Sequence, residues 1–575
     1  MKANKQGTLL KRNIMITIMA LIGITVFGQI PNWQWAHSAG GTSYESGNNI
    51  TTDVNGNVLM TGYFSSPTLV FGSWTLTNHD ATGTTADIFV VKYDPSGNVL
   101  WAINPGGTSS DGGTGISTDG SGNIYLTGYF STTATFAFNT VTSAGNLDAF
   151  IAKYDSNGNI QWVHSGGGAT FDVPQRISTD TNGNSYIVGY FTAVSAAFGP
   201  VTLINADNTG NTADIFIVKY DAAGNLVWAK SEGGVSNETG TAICVDALGT
   251  VLVTGYFASA TITFGSTTLT NVDASGTTRD VFVAKYNAAG SVLWVKNAGG
   301  MMNDFPSAIT SDPTGNVIVT GYFVSPTITI GTSTYSNARA AGGTYDVFLM
   351  KYDPSGNLVW AHTEGANDDE LATGLTADSN GDIYITGTFN DSLVYIGSTL
   401  LTNTTTASGI SDMFVSKFAS TGAAVWATST GGTLTDACQG ICVDNLGNLY
   451  ISGYFNSAAI SFGTTSLTNV ANSDVFVARM GNLFTGVQNA EPNKSNTFLY
   501  PNPSAGAVTL LMASDRTNSE SEIKIYNQAG QLVYEEVVST TEKVQLDLQS
   551  LSNGVYFVRV QTGEMISYDK LILNK

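Results

Sequence analysis

The chain has 575 residues and a formal net charge of −21, with 23 lysines and arginines against 44 aspartates and glutamates. Such acidity argues against nucleic acid as a partner, because binding nucleic acid needs a basic surface. Charged residues make up only 12% of the chain and hydrophobic residues 42%, which is too hydrophobic for a disordered chain. The length is enough for one large repeat domain and a smaller second domain.

The amino terminus, residues 1–28, is predicted to be a secretory signal peptide. Lysines and Arg12 supply its positive start, and Ile14–Phe27 is a mostly apolar run of 14 residues, short for a membrane span. An uncleaved membrane anchor is the alternative interpretation. We therefore expect a secreted or outer cell-surface protein with no transmembrane span after cleavage of the signal peptide.

One phrase organises most of the chain. The segment Asp87–Trp101 reads DIFVVKYDPSGNVLW and predicts two β-strands joined by a tight turn, because Pro95 presets the turn and Gly97 can take a positive φ. The phrase returns from Asp148, Asp214, Asp280, Asp346 and Asp412, and a shortened copy begins at Asp474. That last copy lacks its tryptophan half, whereas a spare half precedes the first repeat.

The repeat tryptophans keep a nearly constant period. Trp35, Trp101, Trp162, Trp228, Trp294, Trp360 and Trp426 are spaced by 66, 61, 66, 66, 66 and 66 residues. Repeats of this length with strand signals alone are typical of propeller blades. A linear array would need capping repeats, but here the spare strand can complete the last blade. We predict an all-β fold in which residues 32–480 form a seven-bladed β-propeller closed by the N-terminal strand.

Each repeat is expected to contain four principal strands and a small hairpin. In the repeat taken as the type, the strands are Thr241–Asp246, Val251–Phe257, Asp280–Tyr286 and Val292–Asn297, and the hairpin is Thr261–Asn271. Tight turns would then lie on one face of the disc and long connections on the other. Because loops on a rigid scaffold carry function, the long-connection face is the predicted binding face.

Two sets of aspartates are predicted to serve turns. One set ends the first strand of each repeat and comprises Asp53, Asp119, Asp180, Asp246, Asp312, Asp378 and Asp444. The other begins the third strand and comprises Asp87, Asp148, Asp214, Asp280, Asp346, Asp412 and Asp474. Such carboxylates accept backbone N–H groups, and the later glutamate of a calcium loop is missing.

A basic residue recurs with the same period. The members are Lys92, Lys153, Lys219, Lys285, Lys351, Lys417 and Arg479. We expect them to pair with one of the aspartate sets between blades, partly buried. A Lys285 that lies beyond hydrogen-bond distance of every carboxylate would contradict this expectation.

A third carboxylate set lies ten residues after each repeat tryptophan and comprises Glu45, Asp111, Asp172, Glu238, Asp304, Glu370 and Asp436. Because the first strand of a blade normally lines the central channel, these residues are a candidate cation or ligand ring at the channel mouth. The favoured alternative is that each carboxylate satisfies backbone N–H groups of its own loop. No cofactor is expected, apart from calcium at this ring.

No catalytic constellation emerges, so we predict that the protein is not an enzyme. The histidines His37, His164 and His362 share one repeat position in separate blades. The recurring tyrosines, Tyr63, Tyr129, Tyr190, Tyr256, Tyr322 and Tyr454, are attributed to packing. The cysteines Cys244, Cys438 and Cys442 are interpreted as small buried hydrophobes rather than as a disulfide.

The repeats resemble a known family. The phrases DVFVAKYNAAGSVLW, GNVIVTGYF and ICVDALG are similar to the bacterial beta-propeller repeat family called SBBP, over roughly Trp33 to Met480. The inserted hairpin lengthens these repeats beyond the core of that family. The resemblance implies a propeller in an extracellular setting and fixes no ligand.

After residue 480 the period stops. Residues 481–496 are predicted to be a linker, and residues 497–575 a small Ig-like β-sandwich. This last piece resembles the type A sorting domain of the Bacteroidetes type IX secretion system in YPNPSAG, IKIYNQAGQLVYE, LSNGVYFVRVQTGE and the terminal DKLILNK. The resemblance implies that the type IX machinery is a partner and that the cargo is attached to the surface or released. An ordinary accessory sandwich is the alternative.

These observations favour a secreted or cell-surface propeller that acts as a non-catalytic binding or adhesion module. Its ligand would be an extracellular glycan, a protein or a cation. Two other functions stay open: a secreted polysaccharide-active enzyme built on the same propeller, and a purely structural envelope protein.

Overall fold

The structure is a computed structural model, and it divides into two compact regions, Met1–Leu483 and Phe484–Lys575. It describes residues 30–481, apart from positions 81, 247, 406 and 408, and then 497–512, 520–527, 532–539, 543–562 and 565–575. The predicted signal peptide and residues 482–496 of the predicted linker lie outside these ranges. Within them every regular element is a β-strand, and no helix suited to crossing a membrane occurs.

The amino-terminal region consists of short strands that recur with the sequence period. In chain order they are β1 Trp33–Ala39, β2 Glu45–Thr52, β3 Val58–Phe64, β4 Thr68–Phe71, β5 Trp74–Thr77, β6 Asp87–Tyr93, β7 Val99–Ile103, β8 Gly112–Thr118, β9 Ile124–Phe130, β10 Thr133–Phe136, β11 Asn139–Thr142, β12 Asp148–Tyr154, β13 Ile160–Gly168, β14 Asp172–Thr179, β15 Ser185–Phe191, β16 Ser195–Phe198, β17 Val201–Ile204, β18 Asp214–Tyr220, β19 Leu226–Glu232, β20 Glu238–Val245, β21 Val251–Phe257, β22 Thr261–Phe264, β23 Thr267–Thr270, β24 Asp280–Tyr286, β25 Val292–Gly299, β26 Asp304–Ser311, β27 Val317–Phe323, β28 Thr327–Ile330, β29 Ser333–Ser336, β30 Asp346–Tyr352, β31 Leu358–Glu364, β32 Glu370–Ala377, β33 Ile383–Phe389, β34 Leu393–Ile396, β35 Thr399–Thr402, β36 Asp412–Phe418, β37 Ala424–Thr430, β38 Asp436–Val443, β39 Leu449–Phe455, β40 Ala459–Phe462, β41 Thr465–Thr468 and β42 Asp474–Met480.

Four of these strands form an antiparallel sheet in each repeat, as the sequence predicts. The orders are β2-β3-β6-β7 (sheet 1), β8-β9-β12-β13 (sheet 2), β14-β15-β18-β19 (sheet 3), β20-β21-β24-β25 (sheet 4), β26-β27-β30-β31 (sheet 5), β32-β33-β36-β37 (sheet 6) and β38-β39-β42-β1 (sheet 7). The remaining strands form small hairpins, of which β16–β17 and β28–β29 extend sheets 2 and 4 by pairing with β13 and β25.

The fourth strand of sheet 7 comes from the other end of the repeat region. Strand β1 pairs antiparallel with β42, so that Trp35 lies opposite Arg479 and Ala39 lies opposite Val475. Side chains of sheets 1 and 7 share one hydrophobic core, which contains Phe89 of sheet 1 and Tyr450 of sheet 7. Strand β1, which is the spare strand in the sequence, therefore supplies the fourth strand that the last repeat copy lacks.

The second and third strands carry the cores of the sheets. Strand β6 is buried along its whole length, because it has a partner strand on each side and neighbouring sheets against both faces. The first strands lie at the opposite edge of each sheet from the fourth strands. They surround an open cavity of about 190 Å³ lined by Asn49, Ile50, Thr51, Ile116, Ser117, Arg176, Ile177, Ala242, Ile243, Ala308, Ile309, Thr373, Gly374, Leu375, Gln439, Gly440 and Ile441.

The carboxyl-terminal region is a two-sheet structure. Its strands are β43 Thr497–Tyr500, β44 Ala507–Met512, β45 Glu520–Asn527, β46 Leu532–Ser539, β47 Lys543–Asp547, β48 Gly554–Thr562 and β49 Met565–Leu573. The sheets β43-β44-β47 and β46-β45-β48-β49 share one core, in which Val508 and Leu546 of the first sheet join Ile523 and Val558 of the second. Two sheets packed face to face around a common core make a β-sandwich.

Candidate functional site

The seven carboxylates predicted to form a ring all lie at or beside the start of a first strand, and all are buried. Their exposed fractions are 0–2%. The N–H of Gly107 donates to Asp111 Oδ2 at 2.6 Å, and the N–H of Gly300 donates to Asp304 Oδ2 at 2.7 Å. Equivalent bonds from the residue four positions earlier reach Glu45, Asp172, Glu238 and Glu370. Each of these carboxylates thus satisfies backbone groups of its own connection.

Each member of this set also faces an aspartate of the preceding sheet, the one that begins its third strand. A Cβ placed on Gly106 would lie 3.1 Å from Asp111 Oδ2 and 3.4 Å from Asp87 Oδ1, so both carboxylates lie against one glycine. The pairs are Glu45 with Asp474, Asp111 with Asp87, Asp172 with Asp148, Glu238 with Asp214, Asp304 with Asp280, Glu370 with Asp346 and Asp436 with Asp412. The structure therefore places each of the seven carboxylates in a buried pair with an aspartate of the preceding sheet.

Burial dominates the protonation of these pairs. It raises the pKa of Asp111 to about 7, and it raises the pKa of Asp304 to about 8 with a further contribution from the charge of Asp280. Burial raises the pKa of Glu370 to about 9. Near neutral pH in the folded state, Asp111 therefore holds a proton for about half of the time, and Asp304 and Glu370 hold one for most of the time. Among the described residues, no group of three or more His, Cys, Asp or Glu side chains could hold a metal ion. Calcium binding at this set stays a prediction.

The aspartates that end the first strands form turns, which confirms the turn interpretation. Asp312 Oδ1 accepts the N–H of Thr314 at 2.9 Å and the N–H of Asn316 at 3.0 Å. Burial alone would raise its pKa, but hydrogen bonds from Asn316 and Lys351 lower the pKa to about 2. The glycine of this turn has a φ of +80°, which any other residue would adopt only with strain.

The predicted pairing of the basic residues between blades is wrong in its geometry. Lys351 Nζ lies 2.8 Å from Asp312 Oδ2 in its own sheet and donates to the carbonyl of Ser420 in the next sheet at 3.0 Å. Lys285 Nζ lies 3.8 Å from Asp246 Oδ2, which is beyond hydrogen-bond distance. The carboxylate partner of the lysine thus lies in the same sheet as the lysine. The ammonium group contacts the neighbouring sheet through a backbone carbonyl of a turn.

The periodic tyrosines lie where the second strand gives way to a long connection, and all are partly exposed. Burial raises the pKa of Tyr63, Tyr129, Tyr190, Tyr322 and Tyr454, and a tyrosine of an adjacent sheet adds to this rise for all but Tyr454. Packing alone therefore does not describe them, since neighbouring sheets bring their phenol groups together on the long-connection side.

Sheets 4 and 5 add an aromatic and cationic cluster to this side. The ring centroids of Tyr256 and Phe305 are 5.5 Å apart, those of Phe305 and Tyr322 are 5.3 Å apart, and those of Tyr322 and Tyr345 are 5.1 Å apart. The guanidinium of Arg279 lies 5.0 Å from the centroid of Tyr256 and 5.4 Å from that of Phe305. We call these five partly exposed residues the aromatic cluster.

Sequence reasoning missed the aromatic cluster, although a signal was present. The repeat position of Arg279 and Tyr345 holds Ala86, Leu147, Ala213, Ser411 and Ser473 in the other repeats. The scaffold forms with other residues at this position, so it does not require Arg279 or Tyr345. Two such departures in adjacent repeats, on the face expected to bind, therefore indicate a role other than folding.

The histidines and cysteines form no common site. Each of His37, His164 and His362 packs on its own repeat tryptophan, with ring centroids 5.2 Å apart in all three cases. Burial lowers the pKa of all three imidazoles. The cysteines are free thiols, as expected, and burial raises the pKa of Cys244 to about 11 and that of Cys438 to about 12.

Comparison with curated proteins finds two relatives of this chain. An uncharacterized WD repeat-containing protein, L264, of Acanthamoeba polyphaga mimivirus is 25% identical over 534 residues, covering 77% of this chain and 38% of the relative. The regulatory protein FlaEY of Caulobacter vibrioides is 25% identical over 369 residues, covering 59% of this chain and 37% of the relative. The chain thus spans less than two fifths of either relative.

Solved structures give weaker likenesses. Sqt1 from Chaetomium thermophilum has a TM-score of 0.37 at 10% identity, covering 79% of this chain and 99% of that one. Latent PorU from Porphyromonas gingivalis has a TM-score of 0.13 at 11% identity, covering 80% of this chain and 32% of that one.

The carboxyl-terminal sandwich gives a family match. Residues 498–574 match the family described as the secretion system C-terminal sorting domain. This match confirms the resemblance seen in the sequence and covers the region that carries strands β43 to β49. The carboxyl-terminal region is a sorting domain of the type IX secretion system, and the chain is cargo that this system exports.

Proposed function

We propose that the exported part of this protein is a closed seven-bladed β-propeller that binds an extracellular glycan or protein without catalysis. The pairing of β1 with β42 supports the closure, since it leaves sheet 7 with the same four strands as the others. The relative L264 carries WD repeats by name, and WD repeats are four-stranded propeller blades. Sheets 1 to 7 are the proposed blades.

The aromatic cluster is the observation that carries the binding proposal. Tyrosine, phenylalanine and arginine bind partners well, because each offers a large contact area at little entropic cost together with a polar or cationic group. The five residues lie on the side of the long connections, where sequence reasoning expects ligands. An aromatic face suits the C–H groups of a sugar ring or an apolar side chain, and Arg279 suits a hydroxyl or carboxylate beside it.

The buried acids support a binding role over a hydrolytic one. Pairs of carboxyls with a raised pKa, such as Asp280 and Asp304, resemble general acids in protonation but have exposed fractions of 0%. A catalytic acid must reach its substrate within hydrogen-bond distance. The pKa of these acids is raised because they are buried between neighbouring sheets.

The test is an array of glycans and extracellular proteins probed with the mature full-length protein. The variants Arg279→Met and Tyr322→Ala should lower affinity for the captured ligand about tenfold or more, which corresponds to about 1.4 kcal/mol. The matched control is Tyr395→Ala, which removes a tyrosine that is 58% exposed on strand β34. Equal binding by all three variants would refute the site, and release of reducing sugar would favour the enzyme.

Export provides a separate test. A chain that lacks residues 497–575 should accumulate inside the cell, because it lacks the sorting domain, while full-length protein reaches the surface or medium. Cell fractionation with an antibody to the repeat region measures both. Normal surface display of the shortened chain would contradict the sorting role and would leave the binding proposal untouched.

A further inference from the structure

The cavity surrounded by the first strands contains an isolated positive charge. Among the described residues that line it, Arg176 alone is charged, and the others are aliphatic or neutral polar side chains. The volume of about 190 Å³ exceeds what a single water molecule needs several times over. A guanidinium therefore faces a roomy cavity without a carboxylate in its walls.

The hydrogen bonds of Arg176 leave one edge of its guanidinium unused. Nη1 donates to the carbonyl of Thr114 at 3.1 Å and to the carbonyl of Gln175 at 2.9 Å. Nε and Nη2 make no hydrogen bond to the described residues, and none of the ion pairs among those residues includes Arg176. These two nitrogens form the side of the guanidinium that binds oxyanions in a bidentate manner.

The other repeats make room for this side chain. The residues at the same register position are Asn49, Gly115, Ala242, Ala308, Gly374 and Gly440. Small residues at this position are sufficient for the scaffold, so the long charged side chain of Arg176 is a departure that the fold does not require.

Arg176 is partly buried and its charge is unpaired among the described residues. Burial lowers the pKa of Arg176 to about 10, so the guanidinium still carries its charge at neutral pH. The free edge of the guanidinium is open to the cavity, where an oxyanion can replace water as its partner. The neutral amide donors of Asn49 and Gln439 in the wall can complete the shell of a bound anion.

We propose that Arg176 binds a small oxyanion, a carboxylate or a phosphate, in the cavity surrounded by the first strands. In this arrangement Nε and Nη2 each donate a hydrogen bond to one oxygen of the anion, and the aliphatic side chains of Ile177 and Ile243 line the cavity beside the pair. The site is independent of the aromatic cluster, which lies on the long-connection side.

The experiment follows thermal unfolding of the mature full-length protein in chloride, sulfate, phosphate and acetate at matched ionic strength. Binding to the folded state should raise Tm with saturation, by about 2–5 °C for the preferred anion. Phosphate and acetate form separate arms, so the response identifies which oxyanion the site takes. The variant Arg176→Met should lose the rise.

The control is Arg339→Met, which removes an exposed guanidinium and should keep the full response. An unaltered protein whose Tm is the same in all four salts, or an Arg176→Met variant that responds as strongly as the unaltered protein, would overturn the proposal. If Arg176→Met shows no cooperative transition, Arg176→Gln replaces it. Calorimetric titration with phosphate or acetate then compares anion binding by Arg176→Gln with binding by the unaltered protein, and equal binding would overturn the proposal.

Discussion

Arg479 Nη1 donates a 2.7 Å hydrogen bond to the carbonyl of Pro95, a residue 384 positions earlier in the chain. At boundaries between sheets that are consecutive in the chain, this bond is made by Lys92, Lys153, Lys219 and Lys351. Lys153 Nζ, for example, donates to the carbonyl of Ala222 at 2.9 Å. Sheets 7 and 1 are therefore joined by the same contact as sheets 2 and 3.

This equivalence predicts the effect of removing either cation. Arg479→Met and Lys153→Met should each lower the free energy of unfolding, by about 1.5–3 kcal/mol, since each loses a charged hydrogen bond at a sheet boundary. Urea unfolding of both variants measures the effect. If Arg479→Met unfolds like the unaltered protein while Lys153→Met is destabilised, sheets 7 and 1 are not joined in solution.

Stability should fall between pH 4 and pH 8 because of the buried carboxyl pairs. The pKa of Asp304 is about 8 when folded and near 3.8 when unfolded, so the folded state binds more protons and loses stability as pH rises through this window. Each such group contributes a slope of up to about 1.4 kcal/mol per pH unit. Asp304→Asn should flatten the decline in Tm from pH 5 to pH 8. Asp353→Asn, which removes a turn carboxylate of lowered pKa, should leave the slope unchanged.

Asp312 stabilises the fold by a turn and an ion pair together. Its side chain is 4% exposed and that of Lys351 is 5% exposed, so Asp312→Ala leaves a buried ammonium unpaired and should cost about 3–5 kcal/mol. Asp180→Ala is the matched control, because Asp180 makes the same turn bonds and no ion pair among the described residues. The double variant Asp312→Ala with Lys351→Met should recover part of the loss; no recovery would argue against the pair.

This ion pair also has a pH signature of opposite sign. The folded-state pKa of Asp312 is about 2, so its contribution is fully present above about pH 4 and is lost as pH falls from there through the folded-state pKa. Acid unfolding of the unaltered protein should therefore show a stability loss below pH 4 that Asp312→Ala lacks.

The glycine beside each carboxyl pair should tolerate no side chain. A Cβ on Gly233 would lie 2.1 Å from Cγ and Oδ1 of Asp214, so Gly233→Ala forces a buried carboxyl to move and should cost about 1–3 kcal/mol. In an Asp214→Ala background the same change should cost clearly less. Equal costs in both backgrounds, measured by chemical unfolding, would show that the carboxyl is not the obstacle.

Much of the fold could be predicted from the sequence, because its signals are local. The turn at Asp312 needs only an aspartate, a glycine three residues later and the strands that flank them. The place of β1 followed from a missing and a spare half-repeat, which is a counting argument. The motifs of the sorting region named a family that the comparison confirmed, whereas the SBBP family named from the repeat motifs stays a prediction.

The site was harder to predict, because it depends on contacts between repeats. Asp87 and Asp111 are 24 residues apart and belong to different sheets, so their pairing and burial are properties of packed sheets. The same holds for Lys351, whose second partner lies in the next sheet. The aromatic cluster was hidden because a repeat consensus averages away the positions, such as Arg279, at which one repeat differs.

The pairing of β1 with β42 has a consequence for biogenesis. Strand β1 is synthesised long before its partner, which ends at residue 480, so sheet 7 is completed only after every repeat is available. A product cut short within the repeats leaves two open strand edges, one at each end, which invite proteolysis or aggregation. Because the sorting domain lies beyond the last repeat, a chain able to engage the exporter is also one that contains every strand it needs.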